Sequence, residues 1–138
     1  MGLAVIGILG SMATGAYTRH VTSARNAAAI GDIGAIKLAI DAYRLNNNND
    51  VPPATLAEIK METKLDPWGN PYVYLNFAGV KGNGGKRKDH NLVPINSDFD
   101  LYSKGADGKS STPLTAKASH DDIILANNGK FVGLAEDY

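Results

Sequence analysis

A chain of 138 residues has room for one modest domain besides any leading segment. Its 14 basic and 14 acidic side chains cancel, which removes the electrostatic case for a nucleic-acid partner. It contains no cysteine, so a disulfide framework and a thiolate metal site are both excluded.

Residues 1–18 carry no charged side chain, and Arg19 and His20 end the run. Met1, Leu3, Val5, Ile6, Ile8, Leu9 and Met12 are large apolar groups, with alanine and glycine between them. As a helix the segment is roughly 27 Å long at ~1.5 Å per residue, just short of a bilayer core of roughly 30 Å. Being apolar all round, it needs apolar surroundings on every side. Leaving those side chains in water forgoes on the order of 10–20 kcal/mol. Three readings compete: a cleaved secretory signal, a single-span anchor, and a helix that passes from membrane into a polymer. Nothing basic precedes the run, and it continues without a break into an amphipathic helix, which disfavours the cleaved signal.

Residues 19–50 form the second half of the same helix and its polar end. Ile30, Ile33, Ile36, Ile40 and Tyr43 step by three and four, giving one apolar stripe, while Asp32, Lys37, Asp41 and Arg44 lie off it. No proline interrupts residues 1–51, and the asparagine run before Pro52 and Pro53 stops the helix.

A globular head is expected over residues 51–138. Thr55 and Glu58 have the spacing of a capping box at the start of a short helix. The turn from Asp66 to Pro71 leads into an alternating strand over residues 72–77. Residues 78–91 read as a glycine-rich, basic, solvated loop, and a second strand is placed around Asp98 to Ser103. Ile123 to Leu125 and Phe131 to Leu134 form a further pair, joined by a two-residue hairpin at Asn128-Gly129. The expected class is α+β: a long N-terminal helix packed on a small antiparallel sheet of three or four strands. One sheet face should lie on Ile33, Ile36, Ile40 and Tyr43.

Enzymatic chemistry is not visible. His20, His90 and His120 lack metal-ligand spacing, although His120 stands beside two aspartates, and there is no GxSxG nucleophile turn. The glycines at 82, 84 and 85 lack the lysine and helix of a phosphate loop. Trp68 is expected to pack against the head rather than to stack a ligand. Lys81, Lys86, Arg87 and Lys88 read as a solvated basic face.

Several motifs, taken together, carry a resemblance. They are Ile8-Leu9-Gly10, Asp32-Ile33-Gly34-Ala35-Ile36, Ala42-Tyr43 and Pro52-Pro53. More specific are Asp66-Pro67-Trp68-Gly69-Asn70-Pro71-Tyr72, Phe99-Asp100-Leu101-Tyr102-Ser103, Gly105-Ala106-Asp107-Gly108 and Asp121-Asp122-Ile123. In that order they resemble the type IV pilin superfamily, and within it the major pseudopilins of type II secretion systems. The basic loop and the last dozen residues are the least family-like parts.

The resemblance implies a structural subunit that polymerises into a helical filament, a periplasmic pseudopilus or an extracellular pilus. Its precursor would sit in the inner membrane, be processed by a prepilin peptidase, and be assembled by a platform protein and an assembly ATPase. Leu3, Ile6, Gly7, Gly10, Ser11 and Gly15 would pack the filament core, the small residues allowing close helix approach. The resemblance also implies a structural calcium ion, with Asp107, Asp121, Asp122 and the Lys104 carbonyl as matching positions. Oxygen ligation suits that hard cation; the competing reading has these aspartates capping turns. Most family members carry a glutamate a few residues into the mature chain, and none precedes Asp32 here. The expectation is therefore an incompletely defined start, or assembly without that acidic group. The alternative function is a monomeric membrane-anchored binding module that uses the basic loop 81–90.

Overall fold

A computed structural model describes the backbone of residues 2–138 and the side chains of residues 15–138. Helix α1 spans Gly2–Asn46. It ends where the asparagines take over: Asn48 adopts a left-handed φ of 51°, and the Asn47 side chain donates to the Tyr43 carbonyl at 2.9 Å. Pro52 and Pro53 then turn the chain back toward the helix, both buried. Among the described residues, no helix is long and apolar enough to cross a membrane. Residues 1–14 of the apolar run lie outside the described side chains, so the membrane reading of that segment rests on sequence.

Four strands follow: β1 Val73–Asn76, β2 Phe99–Ser103, β3 Ile123–Ala126 and β4 Phe131–Leu134. They pair in chain order, all antiparallel, with Leu75 opposite Asp100, Ser103 opposite Ile123 and Ile124 opposite Gly133. Because strand side chains alternate between faces, this register sends Phe99, Leu101, Ile123 and Leu125 toward α1. There they meet Ala29, Ile33, Ile36 and Ile40, all four fully buried, together with Leu56 and Tyr72. Ile33, Ile36 and Ile40 of the expected stripe thus lie in this core, whereas Tyr43 does not. Burying each isoleucine contributes about 1.5–3 kcal/mol. Tyr43 stays at the edge, half-buried, and its hydroxyl donates to Glu58.

The opposite sheet face is also covered. Ile124 and Ala126 join Ile95, Leu114 and Ala135 in a second apolar cluster, with Tyr102 and Phe131 against it. Its cover is the irregular chain between strands: the Ile95 amide donates to the Arg87 carbonyl at 3.0 Å, and the Leu114 amide to Lys88 at 2.8 Å.

Two local expectations need correction. The short helix is a single 3-10 turn, Leu56–Ile59, with no side-chain cap from Thr55. Glu58 does turn back, but its Oε1 accepts from the Ala54 amide at 3.0 Å and its other oxygen is taken by Tyr43. The hairpin before β4 has a four-residue loop, residues 127–130, in which Asn127, Asn128 and Gly129 all have positive φ. Asparagine and glycine tolerate that region where other side chains strain.

Candidate functional site

The motifs that are separate in sequence meet at one end of the sheet. Asp66 is the organiser. Its Oδ1 accepts from the Trp68 and Asn70 amides at 3.0 and 2.9 Å, which closes the Asp66–Pro71 turn with Gly69 at φ 87°. Its Oδ2 accepts from the Ser103 hydroxyl at 2.6 Å, and Ser103 Oγ in turn accepts from the Gly105 amide at 3.0 Å. Trp68 packs against the α1-side core. Gly105 has a φ of 66°, and a Cβ there would stand 2.1 Å from the Asp121 carbonyl oxygen. Only glycine fits so close a backbone approach.

Beyond Gly105, the Asp107 amide donates to Asp121 Oδ2 at 2.9 Å, while Asp107 Oδ1 accepts from the Lys109 amide at 2.8 Å. Asp107 and Asp121 thus face one another across two turns, Asp107 exposed and Asp121 half-buried. Asp122 points the other way. It is 0 % exposed, and its Oδ2 accepts from Arg87 Nη2 at 2.7 Å and from the Ser110 hydroxyl. Lys104 lies half-buried between β2 and the Gly105 turn. The structure therefore brings two of the three candidate aspartates together and commits the third elsewhere. Among the described residues, no three histidine or acidic side chains are grouped so as to hold a metal ion. Arg87 occupies Asp122 Oδ2, which leaves Oδ1 as the one oxygen of that carboxylate without a bond among the described residues.

Arg87 is the largest departure from the sequence reading. It sits in the segment expected to be solvated, yet it is only 2 % exposed. Its guanidinium bonds Asp122 and Ser110 and lies 4.2 Å from the centre of the Tyr102 ring. Its backbone amide donates to Asp100 Oδ2 at 2.7 Å. Asp100 also accepts from Asn96 Nδ2 at 3.1 Å, and Asn96 reaches on to the Leu125 carbonyl and the Asn128 amide. Burial pushes the Asp100 carboxyl above its ordinary value. Burial likewise pushes Asp122 up to about 6, against the opposing pull of Ser110 and Arg87. One signal for this network was present in the sequence: Asp100 and Asp122 stand in or beside apolar strands, and a buried carboxylate demands a partner.

The remaining basic residues of that loop stay near the surface, with Lys86 placed over the Phe77 ring at 4.7 Å. On α1, Asp32 accepts from the Tyr72 hydroxyl at 2.7 Å and pairs with Lys64 at 3.0 Å, tying the Tyr72 end of the signature turn to the helix. Gly15 is exposed on α1 with open space around it. Leu3, Ile6, Gly7, Gly10 and Ser11 lie outside the described side chains.

A long helix whose later half carries a four-stranded antiparallel head, with the signature turn bound to the Gly105 turn through Ser103, defines a type IV pilin-like subunit. The chain is 32% identical over 126 aligned residues to type II secretion system core protein G of Pseudomonas aeruginosa, an alignment spanning 76% of each protein. At that identity and coverage, the chain belongs to the family of type II secretion major pseudopilins. No family model and no solved structure matches it.

Proposed function

We propose that the chain is a structural, non-enzymatic subunit of a type II secretion pseudopilus, polymerising through α1 into a helical homopolymer in the periplasm. The relationship to core protein G carries this reading. The helix surface supports it. Tyr17, Ala24, Ala28, Gly31, Ala35, Leu38, Ala42 and Leu45 recur at alternating three- and four-residue steps once the half-buried Val21 is included, and all eight are exposed. Tyr17, Leu38 and Leu45 are each at least 70 % exposed. That seam faces away from the head, continues the apolar character of residues 1–18, and has the spacing with which helices pack on one another. An inner-membrane precursor, a prepilin peptidase, a platform protein and an assembly ATPase belong to the same reading. The binding-module alternative is less favoured, because Arg87 of its basic loop is spent inside the head and Lys86 is laid on Phe77.

Expression in a type II secretion strain deleted for its major pseudopilin tests the proposal. Fibres built from this chain should appear in the sheared fraction under the electron microscope. Finding only single chains in membranes or medium would refute it.

A further inference from the structure

We infer that Arg87 acts as the internal cation of the head, so that the segment from Gly105 to Asp122 is locked by a guanidinium and needs no divalent metal. An oxygen-coordinated calcium ion stabilises a loop by joining carboxylates and carbonyls from separate chain segments. Arg87 makes that kind of junction here. Through its own backbone it fixes residues 87–95 to Asp100 and Ile95. Through its guanidinium it holds Ser110 from the loop and Asp122 from the entry to β3.

Two buried carboxylates bond Arg87, Asp122 through the guanidinium and Asp100 through the backbone amide. One buried guanidinium meets one buried Asp122 carboxylate at 2.7 Å, with side-chain exposures of 2 and 0 %. At this junction Arg87 Nε, a donor, and Asp122 Oδ1, an acceptor, find no bond among the described residues. Asp107 and Asp121 each give one oxygen to a backbone amide, and Lys104 and Lys109 bracket their turn in sequence. The inference rests on the family relationship but not on polymerisation, and it can fail without touching the proposed function.

Thermal melting of the full chain in detergent, followed by Trp68 fluorescence with calcium or with EGTA, is the test, with terbium luminescence as a direct binding readout. The unaltered chain should melt at the same temperature in both conditions and show no sensitised terbium signal. Arg87→Met should lower Tm by roughly 10 °C or more, because it strands a buried carboxylate. Arg87→Met combined with Asp122→Leu should regain over half of that loss, whereas Asp107→Asn should change Tm little. A calcium-dependent rise in Tm of the unaltered chain, terbium binding at Asp107 and Asp121, an unchanged melt for Arg87→Met, or no recovery in the double variant would each overturn it.

Discussion

On its α1 side the sheet is buried by hydrocarbon: Ile33, Ile36 and Ile40 lie against Leu101, Ile123 and Leu125. On its other side, Ile95, Leu114 and Ile124 share the space with Arg87, Asp100, Asn96 and Asp122. The first side is held by shape and volume, a non-directional attraction proportional to area. The second is held by directional bonds among groups that cost energy to bury and repay it only when all are satisfied. The difference is that one sheet in one small domain is stabilised on its two faces by contributions that respond to different perturbations.

The largest expected effect comes from breaking the apolar side. Ile36→Ala should cost about 2–5 kcal/mol, since a site enclosed by helix and sheet cannot collapse around the cavity. Urea unfolding would measure this as a lower midpoint with an unchanged slope. Asn96→Ala sharpens the contrast on the polar side, with an expected loss of about 1–3 kcal/mol. Little hydrocarbon is removed there, but the Asn128 amide and the carbonyl of buried Leu125 lose their side-chain partner. Tyr72→Phe should cost about 1 kcal/mol for the bond to Asp32.

Tyr72 also sets the alkaline behaviour. Burial, and then Asp32, hold its phenol well above the ordinary value of 10.0, and burial does the same for Tyr74. A group whose folded value is raised contributes stability that is present below its unfolded value and lost as pH rises toward the folded one. Midpoints should therefore fall as pH rises above about 10, and fall less steeply in Tyr72→Phe. The smallest effect is expected at the surface. The Lys37–Asp41 pair, 2.6 Å apart at side-chain exposures of 29 and 40 %, should yield a change of at most about 0.5 kcal/mol on Lys37→Met.

The two sides also differ in how far sequence reveals them. The α1 stripe and the strands announce themselves by periodicity, because hydrophobic burial leaves a repeat of 3.6 or 2 along the chain. The place of β2 and the docking of Ile33, Ile36 and Ile40 follow from those repeats. The polar side leaves no such trace. Arg87 stands among Lys86, Lys88 and glycines and reads as solvated; its burial is decided by Asp100 and Asp122, 13 and 35 residues away. The turn before β4 is longer than the sequence predicts because Asn127, like Asn128, accepts a left-handed conformation that the sequence does not distinguish from a strand end. Glu58 turns back on the chain as the acid of a capping box does, but the amide it accepts from belongs to Ala54 and Thr55 makes no cap.

The central claim, that α1 finds its apolar surroundings among copies of itself, is tested most directly at Leu38. Because the chain has no cysteine, Leu38→Cys can carry a single benzophenone photocrosslinker, installed in cells that assemble the secretion machinery. Illumination should give a ladder of multimers containing only this chain, and the same label on the exposed loop at Asn83→Cys should give far fewer. A single monomer band at Leu38, or adducts to lipid alone, would contradict the account.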